Sequence, residues 1–190
     1  MITLAPTIST RIFPSAASWL RDVLLIVLGA LFVAALAQIE IPLPFTPVPI
    51  TGQTLGVLLA GAALGSKRGA ASLISYLMFG TIGLPFFAGG AHGLNVLIGA
   101  TGGYLIGFVI AAYGIGLLAE RGLERNVRTS IIPFLGGTVI IYLCGVAWLA
   151  VVLGSFSKAL AAGFIPFLIG DAIKLIAASL TLPAVWKWAR

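Results

Sequence analysis

Residues 129–157, TSIIPFLGGTVIIYLCGVAWLAVVLGSFS, contain no charged side chain. A helix needs about 20 apolar residues to cross the roughly 30 Å of hydrocarbon in a bilayer, and this run is long enough. The rest of the chain has the same character, because 60% of its 190 residues are hydrophobic and only 8% are charged. Soluble domains carry about 25% charged residues. The sequence therefore predicts an all-α integral membrane protein of the cell membrane.

Charges, prolines and glycine clusters divide the chain into six predicted transmembrane helices. They cover approximately residues 19–38, 52–65, 70–84, 94–119, 133–154 and 163–188. The second and third are short for a full crossing and are interpreted as compressed or tilted helices. Residues 1–18 are then an N-terminal tail, and residues 19–190 form one six-helix transmembrane substrate-binding domain.

The basic residues predict which side of the membrane each loop faces. The two tails and the second and fourth loops carry most of them: Arg11, Arg21, Lys67, Arg68, Arg121, Arg125, Arg128, Lys187 and Arg190. The opposite side has only Lys158. Because short cytoplasmic loops are enriched in Lys and Arg, both termini, including the 1–18 tail, are predicted to be cytoplasmic. The net charge of +6 thus indicates topology and not a nucleic-acid partner.

Two predicted external segments differ from ordinary linkers. Residues 42–50 alternate proline with apolar side chains, which excludes helix while favouring burial. Residues 85–95 are rich in glycine, so their backbone can approach a ligand closely. Irregular backbone near membrane depth requires protein or a wet cavity to satisfy it. Both segments are therefore predicted to cap a ligand pocket.

Asp171 and Lys174 are the two charges that the bilayer would have to hold. They share a helix face at the i, i+3 spacing, and such charges are costly unless they are paired or face a cavity. One interpretation is a structural ion pair that joins helices. The other is a ligand site, favoured because buried ion pairs seldom stabilise a protein relative to apolar replacements. A carboxylate beside an ammonium suits a ligand with both N–H donors and carbonyl or carboxylate oxygens.

Gly99, Gly103 and Gly107 recur every four residues in the fourth predicted span. This spacing is typical of a groove for close helix packing. Thr101 and Tyr104 lie between these glycines in the sequence. They are also candidates to supply hydroxyl groups to a pocket. The two interpretations are compatible.

Ala30 and Ala34 form a small-xxx-small pair in the first predicted helix. Such pairs serve either for packing within a helical bundle or as a surface for a partner helix. The residues alone do not choose between these alternatives.

The sequence contains no Gly-rich loop leading into Gly-Lys-Ser/Thr, so it predicts no ATPase activity of the Walker type. No His, Cys and carboxylate residues have metal-ligand spacing, so no metal and no cofactor are predicted. A membrane enzyme that uses Asp171 as an acid or base remains an alternative on chemistry alone.

Several motifs, in this order, resemble the BioY family, the biotin-binding S components of energy-coupling factor (ECF) transporters. They are PVPITGQT at 47–54, LAGAALG at 59–65, KRG at 67–69, GLPFFAGG at 83–90, GATGGYLIGF at 99–108 and GDAIK at 170–174. Ala100 stands where the family usually has proline, at the start of the fourth predicted helix.

This resemblance implies a bundle that encloses one biotin molecule, the transported ligand, near the outer face. By the same analogy Asp171 and Lys174 contact biotin, Asn95, Thr101 and Tyr104 lie in or near the pocket, and Gln53 lies on the gating loop. Ala30 and Ala34 become a docking face for the transmembrane coupling subunit, which is tied to two cytoplasmic ATPase subunits. An S component for another vitamin is the alternative within the same class.

Overall fold

The computed structural model describes residues 18–188. The predicted N-terminal tail, residues 1–18, lies outside the described residues except for Ser18, where the first helix begins. Arg11 and Arg190, which contributed to the predicted topology, also lie outside them.

The described chain is mostly helical. Its α-helices are α1 (Ser18–Ala37), α2 (Gln53–Leu64), α3 (Ser66–Thr81), α4 (Leu94–Ile98), α5 (Gly102–Ala119), α6 (Val127–Leu153), α7 (Phe156–Gly163) and α8 (Leu168–Trp188). Short 3₁₀ turns cover Ala88–Gly90, Leu123–Arg125 and Ile165–Phe167. Two short strands, β1 (Glu40–Ile41) and β2 (Ile50–Thr51), pair antiparallel with Glu40 opposite Thr51. They are an addition to the predicted all-α fold.

Four segments of the described chain are long and apolar enough to cross a membrane. They are Trp19–Ala37, Gly102–Ala119, Val127–Leu153 and Phe156–Trp188. The α2 helix is apolar but has only 12 residues. The 16-residue α3 helix carries Lys67 and Arg68 in its first turn.

The predicted single span 94–119 is wrong, because the chain breaks between α4 and α5. Gly99 is extended there, with φ −80° and ψ −168°. Its carbonyl oxygen accepts a hydrogen bond of 2.8 Å from Nε1 of Trp148 in α6. A tertiary contact therefore satisfies a backbone group that a continuous helix would have used itself.

The packing of α5 on α6 confirms the close-packing interpretation for Gly103 and Gly107. At Gly99 an added Cβ would instead lie 2.9 Å from the Asn95 carbonyl oxygen in the preceding segment. A Cβ atom added at Gly103 would lie 2.2 Å from Trp148 Cβ, and one added at Gly107 would lie 3.0 Å from Cys144 Cβ. The first distance leaves no room for a methyl group and the second is very tight, so the two helices approach closely here.

The α1 helix packs against α2 and α3. Ala30 is fully buried and Ala34 is 7% exposed. Both side chains therefore take part in packing within the bundle, which was one of the two interpretations. Their role in docking on a partner helix stays a prediction.

The proline-rich segment between β1 and β2 folds back over the bundle. Val48 is buried, and Thr46 Oγ1 donates a hydrogen bond of 2.7 Å to the carbonyl oxygen of Ala162 in α7. The segment is thus held down both by apolar contact and by one side-chain hydrogen bond. We refer to residues 42–50 as the lid.

Candidate functional site

A cavity of about 220 Å³ lies beneath the lid. The β1–β2 hairpin, α2, the 85–95 segment, α5, α6 and α8 all contribute to its lining. Its polar lining residues are Glu40, Thr51, Gln53, Thr54, Thr101, Tyr104, Tyr142, Asp171 and Lys174. Most of the remaining lining is apolar, which is typical of sites that fix a small ligand with a few polar groups.

Asp171 and Lys174 lie together in this cavity and form an ion pair. Lys174 Nζ donates to Asp171 Oδ1 at 2.8 Å, and the two side chains are only 16% and 11% exposed. Thr54 Oγ1 in α2 accepts from Lys174 at 2.9 Å and donates to Asp171 Oδ1 at 3.2 Å. The Tyr142 hydroxyl in α6 donates to Asp171 Oδ2. The pair therefore joins three helices, and both of its members face a cavity.

The hydrogen bonds of Asp171 and Lys174 do not use all of their acceptor positions and donors, so both residues can still bind a ligand. A carboxylate offers about four acceptor positions, of which Asp171 uses three in its bonds to Lys174, Thr54 and Tyr142. An ammonium has three donors, of which Lys174 uses two. One acceptor position and one donor consequently remain at the base of the cavity.

Of the other predicted site residues, Gln53, Thr101 and Tyr104 also line the cavity. Gln53 is the first residue of α2 and not part of a loop, and its amide joins Thr51 to the Tyr76 hydroxyl. Tyr104 donates its hydroxyl to the Gly163 carbonyl oxygen at 2.6 Å. Both side chains thus hold neighbouring elements in place while they face the cavity.

Asn95 is the predicted site residue that the structure does not bring to the cavity. It is exposed on α4 and is not among the lining residues. Its neighbour Val96 lines the cavity instead. On a helix of five residues, adjacent side chains point about 100° apart, so only one of the two can face inward.

Thr54, Tyr142 and Glu40 line the site but were not singled out from the sequence. Thr54 follows Gln53 directly, within the quoted motif, so its position was visible although its role was not. Tyr142 lies in an apolar run with no polar neighbour to mark it. Glu40 comes from β1, and a Cβ added to Gly89, where φ is +60°, would lie 2.0 Å from Glu40 Oε2. Glycine at 89 therefore allows the carboxylate of the hairpin to sit against the 85–95 segment.

Aromatic side chains form much of the apolar wall. Phe87, Phe108 and Phe167 line the cavity and are nearly fully buried. Phe87 packs edge-on against Tyr76 with ring centroids 5.6 Å apart. Rigid rings at fixed positions provide a preformed surface for the flat or ring-shaped part of a ligand.

A cavity with one buried ion pair, aromatic walls and a proline-rich lid lies within a chain whose residues 8–190 match the family model described as BioY family. The chain belongs to the BioY family. Two curated relatives make the same point. The biotin transporter BioY of Rhizobium etli is 40% identical over 174 residues, which cover 87% of this chain and 92% of the relative. The biotin transporter BioY of Thermotoga maritima is 41% identical over 140 residues, covering 74% and 82% respectively.

The fold of this BioY family member is also similar to a solved structure, that of the S-component for biotin from an ECF-type ABC transporter. The TM-score is 0.82 at 26% sequence identity, and the match covers 91% of this chain and 95% of the other. The resemblance predicted from the sequence motifs is therefore confirmed along nearly the whole described chain.

Proposed function

We propose that this chain is the biotin-binding membrane subunit, or S component, of an ECF-type vitamin uptake transporter. The observation that carries the proposal is the roofed cavity around Asp171 and Lys174, in a chain 40% identical to a biotin transporter. Its relatives are named transporters, so the chain acts in transport and not as an enzyme. Biotin is the transported ligand, and no cofactor takes part.

The chemistry of biotin matches the groups in the cavity. Its ureido ring offers two N–H donors and a carbonyl oxygen, its fused thioether ring is apolar, and its side chain ends in a carboxylate. Asp171 accepts a ureido N–H at its remaining position, while Lys174 pairs with Asp171 and donates its remaining N–H to a ligand oxygen. The apolar rings lie against the walls formed by Phe87, Phe108 and Phe167.

The other predicted residues have supporting roles in this proposal. Thr101, just before α5, and Tyr104, in α5, offer hydroxyl oxygens, and Gln53 bonds to Thr51 at the end of the lid. Asn95 contacts the ligand only if α4 turns inward when biotin binds. Asn95→Ala is therefore expected to weaken binding less than a change at Asp171.

In the membrane, α1, α2, α3, α5, α6 and α8 serve as the six transmembrane helices, with both termini cytoplasmic. The cavity lies at the start of α2 and α5, whereas Lys67, Arg68 and Arg121 follow the other ends of these helices. Because Lys and Arg concentrate on the cytoplasmic side, this arrangement supports an externally facing cavity that captures biotin outside the cell.

Energy for transport comes from partners, a transmembrane coupling subunit and two cytoplasmic ATPase subunits. The absence of a Walker motif from the sequence supports this division of labour. In this proposal, the face of α1 that carries Ala30 and Ala34 docks on the coupling subunit.

Titration of the purified protein with biotin, followed by tryptophan fluorescence, tests the proposal. Trp148 is a suitable reporter because its indole bonds to Gly99 beside the cavity. We expect Asp171→Asn to weaken biotin binding by about tenfold or more, since hydrogen bonds to charged groups contribute about 1.5–3 kcal/mol. Asp22→Asn, the same change at the far end of α1, serves as the matched control and should bind like the wild type. Unchanged affinity in folded Asp171→Asn would exclude the proposed role of the carboxylate.

Parallel titrations with thiamine and riboflavin test the second candidate, an S component for another vitamin. Binding of either compound in preference to biotin would replace biotin as the ligand while leaving the cavity as the site.

A further inference from the structure

A third charged side chain, Glu40, lines the biotin cavity but takes no part in the Asp171–Lys174 pair. It belongs to β1, where it lies opposite Thr51 of β2. Residues that lie opposite each other in an antiparallel pair point to the same face, and Thr51 lines the cavity as well. The hairpin therefore presents a half-buried carboxylate to the space that a ligand would occupy.

The Glu40 carboxylate is held against the glycine-rich 85–95 segment. Its Oε2 atom lies 2.0 Å from the position that a Cβ on Gly89 would take. The same segment is fastened to the end of α1 by Gln38, whose Nε2 donates to the Phe87 carbonyl oxygen at 3.4 Å. Glu40 thus lies in a wall of the cavity whose two parts are joined by direct contacts.

Glu40 has no cationic partner within residues 18–188. The ion pairs of this part of the chain go to the carboxylates of Asp22, Glu124 and Asp171. Lys174 is the one basic residue among the described residues that line the cavity, and it is paired with Asp171. The described lining consequently carries two acidic groups and one basic group, which leaves one negative charge uncompensated.

This balance of charge disfavours the tail of free biotin. When Asp171 and Lys174 bind the ureido ring, the tail carboxylate meets no further cation in the described lining. A carboxylate that leaves water without a partner is destabilised, and repulsion by Glu40 destabilises it further. A tail that ends in an amide carries no charge and offers an N–H donor that a carboxylate can accept.

We propose that Glu40 is a specificity-determining residue, through which the cavity binds biotin amides more tightly than free biotin. In these ligands the carboxyl group of the tail is joined to nitrogen, so that its N–H donates to Glu40. The inference rests on the proposed function, because it requires the ureido ring to lie at Asp171 and Lys174. The opposite orientation, with the tail carboxylate at Lys174 and the ureido ring at Glu40, predicts the opposite effect of removing the Glu40 charge.

The test titrates the purified full-length wild type and Glu40→Gln with biotin, biotinamide and biotin methyl ester by isothermal calorimetry. The ester is neutral like the amide but has no N–H at its tail. We expect the wild type to bind biotinamide more tightly than biotin. In Glu40→Gln the affinity for biotin should rise about threefold, because a half-exposed like charge is removed. The affinity for biotinamide should fall about fivefold, because a hydrogen bond to a charged group is weakened. The affinity for the ester should stay the same.

Glu120→Gln is the matched control, because it makes the same change at the other end of α5, where the carboxylate bonds to Ser66. All three affinities should stay at their wild-type values. Salt provides a second measurement. Raising the salt concentration should strengthen the binding of biotin to the wild type more than to Glu40→Gln, since screening weakens the repulsion by Glu40.

Three results would overturn the inference. They are weaker binding of all three ligands by folded Glu40→Gln, an unchanged ratio of biotin to biotinamide affinity in that variant, and a wild type that prefers biotin to biotinamide. A wild type that binds none of the three ligands would instead contradict the proposed function itself.

Discussion

At the scale of single residues, the Asp171 carboxylate is held by donors from two other helices and from its own. Thr54 is central because its one hydroxyl accepts from Lys174 and donates to Asp171. Tyr142 completes the arrangement at the other carboxylate oxygen. The carboxylate plane is therefore fixed before a ligand arrives, which lowers the cost of ordering the site on binding.

Thr54→Val keeps the side-chain shape while it removes this hydroxyl. We expect biotin affinity to fall about tenfold, because two charge-assisted hydrogen bonds are lost and the Asp171–Lys174 pair becomes less constrained. Isothermal titration measures the change. Thr138→Val is the matched control, since its hydroxyl bonds only to Phe134 of its own helix. Equal affinity of Thr54→Val and the wild type would show that Thr54 does not organise the site.

Glu124, which lies far from the biotin cavity, is also a carboxylate in a buried environment. Its side chain is fully buried in the turn between α5 and α6, 3.8 Å from Arg125 Nε, whose guanidinium stacks on Trp186. Burial raises the pKa of this carboxyl above its usual value, despite the opposing effects of Arg125 and Trp186. The folded state consequently binds a proton more readily than the unfolded state.

The sign of the pH effect follows from linkage. A raised carboxyl pKa contributes stability that is present below the unfolded pKa, near 4.5, and is lost as pH rises through the folded pKa. Glu124→Gln removes that loss, so we expect it to raise the apparent melting temperature at pH 7.5 more than at pH 4.5. Thermal unfolding in detergent measures both values. Glu120→Gln, at the end of α5, serves as the control; an equal shift at the two pH values for Glu124→Gln would contradict the argument.

At the scale of elements, the close contact between α5 and α6 supports the cavity. It places Tyr104 and Thr101 on one side and Tyr142 on the other, all facing the same space. Glycines on α5 make this approach possible, and Trp148 on α6 anchors the break before α5. The position of the site therefore depends on small residues that do not line it.

Gly103→Ala is expected to destabilise the protein by about 1–3 kcal/mol and to weaken biotin binding, because its Cβ would collide with Trp148 and the Cys144 carbonyl oxygen. Chemical unfolding followed by circular dichroism gives the stability difference. The control is Gly136→Ala on α6, where an added Cβ meets nothing within 4 Å. Equal stability of the two variants would show that the helices can separate at little cost.

At the scale of the whole molecule, the lid connects β1 to β2, and both strands contribute residues to the cavity. It begins after β1, ends at β2 beside Gln53, and is fastened to α7 through Thr46 and Ala162. The α7 helix in turn accepts the Tyr104 hydroxyl bond at Gly163. Two side-chain hydrogen bonds therefore connect the lid, α7 and α5.

Thr46→Val removes the fastening hydrogen bond without changing side-chain volume greatly. We expect biotin to dissociate several times faster, since a neutral hydrogen bond contributes about 0.5–1.5 kcal/mol, while Asp171 and Lys174 are untouched. Stopped-flow fluorescence measures the rate. Thr181→Val, remote from the lid, is the matched control, and an unchanged dissociation rate for Thr46→Val would mean that the lid is held by its apolar contacts alone.

The sequence by itself determined the membrane setting, the approximate positions of the longer helices and the pairing of Asp171 with Lys174. These follow from local causes: the length of uncharged runs, the breaks at proline and glycine, and the i, i+3 spacing on one helix face. The resemblance of the sequence motifs to the BioY family indicated that the ligand is biotin. Each of these signals lies within one short segment of the chain.

Only the tertiary structure decided which residues meet. Thr54 and Tyr142 form hydrogen bonds with Asp171, although they are distant from it in sequence. The predicted fourth span is interrupted at Gly99, and Ala30 and Ala34 are buried. Asn95 does not line the cavity. The physical reason is that these outcomes depend on the rotation of each helix about its axis and on contacts between residues tens of positions apart. In a chain so uniformly apolar, hydrophobic patterning hardly distinguishes the inner face of a helix from the face that meets lipid.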